Sequence, residues 1–361
     1  MIANTLARYF AGKFIGAAIA VFMGVFILVV LVDYIEMTRK TSGIAAPTWL
    51  VVQTSLFRVP QLLERLMPFC VLVAAMSCYL NLSRRLELVV ARSAGISAWQ
   101  FLTPALAAAL VMGLLATVVY NPVSAAMQEQ AQENETMLFG DRQQMMQDAH
   151  GFWLNQATSE GQTIINAASS QRRGEVLTGL TVFRFDTNGR FSERIEAREA
   201  TLENGYWQFK NVRRHSFNEP VKVEDSYRLT TSLTPDQVRG NFANPESVSF
   251  WELSEYITSS ENSGVSAAGY RLQYQKLLSR PFLFAAMVLL ASAVSLRFFR
   301  LGGVQKMVLG GIAAGFLLYV LSKVTEDLSK AELMHPITAA WLPVAVGSLT
   351  GLLALLHLED G

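Results

Sequence analysis

Six apolar runs, each free of charged residues, constrain this chain more than any other feature of its sequence. A helix needs about 20 largely apolar residues to cross roughly 30 Å of lipid hydrocarbon, and each run is on that scale. Only 16% of the chain is charged, whereas soluble domains carry about 25%. The sequence therefore predicts six transmembrane helices, whose uncharged cores are residues 14–32, 66–83, 101–120, 281–296, 307–322 and 337–356.

A long polar interval separates the first three runs from the last three. Residues 1–127 are predicted to hold spans 1 to 3, residues 128–275 an inserted domain, and residues 276–361 spans 4 to 6. The predicted fold class is an α-helical membrane protein with six transmembrane helices, arranged three plus three, and an inserted all-β domain.

Basic residues cluster before span 1, between spans 2 and 3, and between spans 4 and 5. They are Arg8 and Lys13, then Arg84, Arg85 and Arg92, then Arg297, Arg300 and Lys306. Because short loops rich in Lys and Arg remain in the cytoplasm, we expect both termini there and the inserted domain on the opposite side of the membrane.

The polar interval shows the period-two alternation of half-buried strands. Apolar and polar residues alternate in Thr181-Val-Phe-Arg-Phe and in Arg194-Ile-Glu-Ala-Arg, and turn signals recur at Thr187-Asn-Gly, Glu203-Asn-Gly and Asn218-Glu-Pro. We expect short antiparallel strands in an open sandwich or jelly roll. Such a domain could bind an amphipathic ligand or dock another β domain edge to edge, or it could be a sensory or purely structural ectodomain. The flanking residues 127–146 and 269–276 are expected to extend spans 3 and 4 as helices.

Several chemistries lack their sequence signatures. The chain has no G-x-x-x-x-G-K-[ST], H-E-x-x-H or G-x-S-x-G motif, and its four histidines are scattered. A net charge of +1 without a basic tail makes nucleic acid an unlikely partner. The uncharged span centres argue against ion-coupled secondary transport, which places carboxylates or bases inside the membrane. We expect neither catalysis nor a metal site.

The segment of residues 83–97, between spans 2 and 3, is the most informative part of the predicted cytoplasmic surface. As a helix it places Leu86, Val89 and Val90 on one side, with Gly95 as its C-terminal stop. The charged residues Arg84, Arg85, Glu87 and Arg92 lie on the other sides. Such a helix seats in a groove of a cytoplasmic partner, or it lies on the lipid with its arginines against anionic head groups. Spacing alone leaves both interpretations open.

Within this segment, Leu86-Glu-Leu-Val-Val-Ala-Arg-Ser-Ala-Gly resembles the cytoplasmic coupling segment of the LptF/LptG family of lipopolysaccharide export permeases. Residues 271–276 and 315–320 are also similar to that family, and the layout of three spans, β domain and three spans covers nearly the whole chain. Val32-Asp33-Tyr34 is closer to the LptG branch than to the LptF branch.

The resemblance implies a transport subunit of an ABC exporter in the bacterial inner membrane, with no ATPase site or cofactor of its own. The implied partners are an LptB-type ATPase dimer that uses ATP and Mg, a second permease of LptF type, LptC, and a periplasmic β-jellyroll bridge of LptA type. The implied substrate is lipopolysaccharide, drawn from the inner membrane and passed to the bridge towards the outer membrane.

The resemblance also assigns residues. Glu87 matches the family's coupling carboxylate, and Arg84, Arg85, Leu86, Val90, Arg92 and Gly95 surround it. Family members place basic residues near the outer end of span 1 and beyond span 3 against lipid phosphates. Here the chain offers Asp33, Arg39 and Lys40 after span 1, no base after span 3 before Arg142, and Lys323 after span 5. We expect these four residues, Asp33, Arg39, Lys40 and Lys323, to contact lipopolysaccharide.

The expected mechanism makes the segment of residues 84–95 a lever driven by the ATPase, with spans 1 and 5 opening a lateral gate. Five glycines at or within the start of span 5 would allow close packing against a neighbouring span: Gly302, Gly303, Gly310, Gly311 and Gly315. One alternative is an ABC permease of the mechanotransmission type that releases lipoproteins or drugs, although such proteins usually have four spans and an ectodomain after the first. Another is an envelope-stress sensor, which should carry a cytoplasmic output domain, whereas this tail ends at His357-Leu-Glu-Asp-Gly.

Overall fold

The chain forms two compact units in a computed structural model. The structure describes residues 2–43, 46–95, 97–139, 152–158, 161–171, 176–186, 190–203, 205–216, 220–231, 244–262, 266–301 and 304–359. One unit, here the helical unit, joins residues 1–131 to residues 271–361, and the other, the β unit, comprises residues 132–270.

In the part of the chain that the structure describes, six helices are long and apolar enough to cross a membrane, which confirms the six spans predicted from the sequence. Spans 1 and 2 are α1 (Ile2–Thr41) and α2 (Thr48–Arg84), and a short α3 (Glu87–Ser93) follows. Span 3 is α4 (Ala98–Leu115), a π-helical turn (Ala116–Tyr120) and α5 (Asn121–Phe139). After the strands come α6 (Leu253–Asn262), α7 (Ala268–Leu301), α8 (Val304–Lys330) and α9 (Pro336–Glu359).

The helices extend well beyond the uncharged cores. α5 continues span 3 to Phe139, and α7 begins at Ala268, as expected from the flanking sequences. Residues 140–146 of the predicted extension lie outside the described residues. The segment of residues 83–97 is shorter as a helix than predicted, because Arg84 still belongs to α2 and α3 begins only at Glu87.

A buried polar cluster joins spans 2, 3 and 4. The Glu64 carboxylate on α2 lies 2.6 Å from Arg280 Nη1 on α7 and accepts a hydrogen bond of 2.9 Å from Asn121 Nδ2 at the start of α5. Next to it, the Tyr120 hydroxyl donates to the backbone carbonyl of Pro60 at 3.0 Å. Ionised groups inside a membrane bundle are costly unless they pair with one another. We call Glu64, Asn121 and Arg280 the buried polar node.

Spans 3 and 4 cross closely where Pro281 of α7 meets Gly113 of α4. Pro281 has no N–H, so the carbonyl of Leu277 one turn earlier lacks its usual helical donor. The Thr117 hydroxyl, which lies in the π-helical turn, donates to that carbonyl at 2.9 Å. One turn before Thr117, a side chain on Gly113 would collide with the Pro281 backbone. The two helices therefore touch at their backbones, and the polar group freed by proline is satisfied across the interface.

Span 5 packs on span 2 through two of the glycines singled out in the sequence. A side chain on Gly311 would collide with Met76 of α2, and one on Gly315 would press on Leu72. Small residues allow this close approach between membrane helices. Gly302 and Gly303 lie outside the described residues.

The described residues of the β unit form an antiparallel sheet of six strands in chain order, which confirms the inserted β domain. Every observed pairing joins neighbours in the sequence, so the described strands form an up-and-down meander. The strands are β1 (Phe152–Thr158), β2 (Gly161–Gln171), β3 (Val176–Phe185), β4 (Phe191–Glu203), β5 (Tyr206–Ser216) and β6 (Lys222–Thr230). Of the three predicted turns, residues 187–189, 204 and 218–219 lie outside the described residues.

The side of a strand that is buried changes along its length, and the inward side chains of the sheet share one apolar core. On β3, Leu177 and Leu180 are both buried although they are three positions apart, and Gly179 between them has a left-handed φ of 61°. Asn211 on β5, at the same level of the sheet, has a φ of 54°. A left-handed residue bends a strand and turns the side chains that follow. The inward side chains of both halves therefore meet in one cluster, which includes fully buried Trp207.

We expect Glu64→Ala to lower the free energy of unfolding of the helical unit by roughly 3–5 kcal/mol, because it leaves Arg280 buried without its carboxylate. Thermal unfolding in detergent micelles measures this loss as a lower midpoint. Glu36→Ala is the matched control, since Glu36 pairs with Arg39 and Lys40 on the surface of its own helix and such pairs contribute about 0–1 kcal/mol. Equal midpoints for the two variants would contradict a stabilising role for the node.

Candidate functional site

The segment between spans 2 and 3 is a tight turn followed by a short helix. Leu86 N donates to the Ser83 carbonyl at 3.0 Å, and Leu86 itself adopts a left-handed conformation with a φ of 59°. For a branched, non-glycine residue this backbone costs about 1–2 kcal/mol. The left-handed residue ends α2 and starts α3 in a new direction, which is why the predicted helix is divided. At the far end, Gly95 has a φ of 80°, the conformation that terminates many helices.

The short helix buries one side and exposes an apolar patch on the other. Leu88 and Ala91 are buried, and Leu88 belongs to the core of the helical unit. Leu86, Val89 and Val90 are exposed by 58%, 44% and 65%. We call these three residues, together with the exposed Arg84, Arg85 and Arg92, the α3 face. An exposed apolar patch rimmed by charge marks an interaction surface.

Glu87 stands at the first position of α3 and contacts span 1. Its Oε2 accepts a hydrogen bond of 3.0 Å from the Tyr9 hydroxyl on α1. Sequence reasoning missed Tyr9, because 78 positions separate the two residues and no local pattern signals the contact. Lys13, one turn further along α1, places its Nζ 5.2 Å from the centre of the Tyr9 ring.

Asp33, predicted to contact lipid, is buried between spans 1 and 2. Its Oδ1 lies 3.7 Å from Arg58 Nε on α2, and Arg58 also contacts Met37 Sδ. The carboxylate therefore faces the neighbouring helix of its own chain. Arg58 is a basic residue near the end of span 1 that sequence reasoning missed.

The three predicted basic contacts lie on exposed helix surfaces and have carboxylate partners. Arg39 Nη2 and Lys40 Nζ lie 2.9 and 3.4 Å from the Glu36 carboxylate, and the Arg39 side chain is 76% exposed. Lys323 on α8 lies 3.4 Å from Glu326 and 3.3 Å from Asp327. Arg39 and Lys40 are thus together at the end of α1, while Lys323 belongs to a different cluster.

That second cluster brings three lysines to one half-buried carboxylate. Glu326 lies 2.9 Å from Lys276 of α7, 2.6 Å from Lys330 and 3.4 Å from Lys323. The pairing joins spans 4 and 5, and the Trp341 indole of span 6 donates to Gln275 nearby at 3.2 Å. The sequence singled out only Lys323, because Lys276 reaches Glu326 from 50 positions away in the chain.

Comparison with known proteins decides the family. The family model for the lipopolysaccharide export system permease LptF/LptG matches residues 8–357. The chain belongs to the LptF/LptG family. This confirms the resemblance found at the α3 segment and makes the chain a membrane component of an ABC transporter, a multi-pass inner-membrane protein.

Two curated LptG proteins show the same relationship along their whole length. The lipopolysaccharide export system permease protein LptG of Escherichia coli K12 is 23% identical over 357 residues, covering 96% of this chain and 97% of that protein. The protein of the same name from Haemophilus influenzae is 22% identical over 346 residues, covering 94% and 95%. Among LptF/LptG permeases, this chain is thus similar to LptG proteins.

We expect Leu86→Gly to raise the free energy of unfolding of the isolated permease by about 1 kcal/mol, because glycine adopts the left-handed conformation without the clash of a Cβ. Leu86 is exposed, so little packing is lost. Val89→Gly in the same helix is the control and should lower stability by about 1 kcal/mol. A Leu86→Gly variant as unstable as the control in thermal unfolding would show that the turn is unstrained.

Proposed function

We propose that this chain is a permease subunit that extracts lipopolysaccharide from the inner membrane and passes it to a periplasmic β-jellyroll bridge. It has no cofactor of its own, and a dimeric ATPase subunit of LptB type supplies the energy from ATP and Mg. A second permease of LptF type, LptC and an LptA-type bridge complete the assembly. Membership of the LptF/LptG family and the similarity to LptG proteins support this proposal.

The observation that carries the proposal is the α3 face. Leu86, Val89 and Val90 form an exposed apolar patch on a short helix, between two spans and beside the Glu87 carboxylate. In this proposal, the patch seats in a groove of the ATPase subunit, and the arginines and Glu87 fix the register. Because this face belongs in the cytoplasm, both termini lie there too and the β unit lies in the periplasm, in agreement with the basic loops.

In this proposal, lipopolysaccharide contacts spans 1 and 5 at the end away from the α3 face. Arg39, Lys40 and Lys323 have exposed ammonium or guanidinium groups at helix ends, and such groups pair well with phosphate oxygens. Asp33 acts indirectly by holding Arg58 at the same end of α1. Each exposed base already has a carboxylate neighbour, so a lipid phosphate would bind in competition with Glu36 or Glu326.

Affinity purification of the chain from native membranes tests the proposal as a whole. We expect mass spectrometry to find an ATPase subunit, a second six-span permease and bound lipopolysaccharide. Recovery of the chain alone would contradict it and favour an envelope sensor, and recovery with lipoproteins would favour a lipoprotein-release permease.

We expect Val90→Asp to reduce the ATPase subunit recovered with the chain at least roughly tenfold, because it places a carboxylate in the centre of the apolar α3 face. Val223→Asp is the matched control, since Val223 is even more exposed but lies on β6. Quantitative mass spectrometry of both purified variants makes the comparison. Equal recovery would mean that the α3 face does not bind the ATPase.

We expect the double substitution Arg39→Gln, Lys40→Gln to lower the lipopolysaccharide that co-purifies by roughly three- to tenfold, because the two charge-assisted phosphate contacts, formed in exchange for pairs with Glu36, together contribute on the order of 1 kcal/mol. Lys210→Gln removes a similar exposed lysine from the β unit, where Lys210 pairs with Glu199. Lipid A quantification relative to protein provides the measurement. Unchanged lipid content in the double variant would assign these two bases to interfacial anchoring.

A further inference from the structure

A hydrogen bond links the first span directly to the α3 helix. The Tyr9 hydroxyl on α1 donates to Glu87 Oε2 at 3.0 Å. Glu87 Oε1 accepts no hydrogen bond from a described residue, so this oxygen remains available to a cation of a partner. The carboxylate is therefore held on one side and open on the other.

Packed neighbours fix both ends of this hydrogen bond. Phe10, which follows Tyr9, is buried and its ring lies 6.1 Å from that of Phe101. Leu88, which follows Glu87, is buried in the same core cluster. Because Phe10 and Leu88 are anchored in one core, the backbones that carry the hydroxyl and the carboxylate have a defined separation.

The Tyr9 ring also contacts a lysine of its own helix. Lys13 Nζ lies 5.2 Å from the ring centre, within the range in which a cation is attracted to an aromatic face. Lys13 follows Tyr9 by one turn of α1, so the contact needs no movement of the helix. The hydrogen bond to Glu87 and the contact with Lys13 together restrain the Tyr9 side chain.

We infer that Tyr9 is a positioning residue, whose hydroxyl orients the Glu87 carboxylate towards the ATPase subunit and couples α3 to span 1. The inference rests on the proposed function, since it requires that the α3 face bind the ATPase. The only covalent link of α3 to α2 is the turn at Arg85 and the left-handed Leu86. The hydrogen bond adds a polar contact between α3 and α1 to the packing of Leu88, so a displacement of α3 is transmitted to α1 as well as to α2.

A double-mutant cycle tests the inference in the complete complex reconstituted in proteoliposomes. The four permeases are the unchanged chain, Tyr9→Phe, Glu87→Ala and the double variant. Each is measured for ATPase-subunit affinity and for lipopolysaccharide moved per ATP hydrolysed. Phenylalanine keeps the ring and its packing and removes only the hydroxyl. Tyr34→Phe on the same helix is the matched control, and thermal unfolding verifies that each variant folds.

We expect Tyr9→Phe to lower the ATPase-subunit affinity and the lipid moved per ATP by roughly three- to tenfold when Glu87 is present, and to change neither in the Glu87→Ala background. A structural role for Tyr9 would produce the same loss in both backgrounds, and that result would overturn the inference. A fully active Tyr9→Phe variant beside an impaired Glu87→Ala variant would also overturn it, while leaving the proposed function intact. A fully active Glu87→Ala variant would instead overturn the coupling role of Glu87 in the proposed function.

Discussion

The ion pair between Glu64 and Arg280, with Asn121 as its third member, is the interaction on which the arrangement of the helical unit depends. In an apolar bundle, burying any of these polar side chains is unfavourable unless the others contact it. Satisfying all three fixes the relative depth of spans 2, 3 and 4. The Thr117 hydroxyl adds a second fixed point, because it satisfies the carbonyl that Pro281 leaves without a donor. Spans 2 to 4 therefore form a block of defined register.

Besides its buried residues, two features attach α3 to the neighbouring spans. A strained turn at Leu86 connects it to α2, and a side-chain hydrogen bond from Tyr9 connects it to α1. Its buried residues, Leu88 and Ala91, belong to the helical unit, while its other side is apolar and exposed. In the proposed function, this exposed side binds the ATPase subunit, and the contacts of α3 pass its displacement into the membrane spans.

At the opposite end of the spans, several basic side chains share one carboxylate partner. Arg39 and Lys40 share the carboxylate of Glu36, and Lys323 shares Glu326 with two further lysines. The pairs of Arg39 and Lys40 with Glu36 are exposed and therefore weak, whereas the Glu326 carboxylate is half-buried among its three lysines. The buried pair of Asp33 and Arg58 is less able to exchange, because separation would leave either charge without a partner between two helices.

The sequence by itself determined the six spans, the inserted β domain and the α3 segment, because these depend on the local spacing of apolar and charged residues. It also carried the family signature, which occupies ten consecutive residues ending at Gly95. Only the tertiary structure decided that Leu86 divides the segment, that Lys276 joins Lys323, and that Glu87 meets Tyr9. The partners in the two decisive contacts, Tyr9 with Glu87 and Glu64 with Asn121, are 78 and 57 positions apart. Their meeting depends on the register between packed helices, which no local pattern encodes.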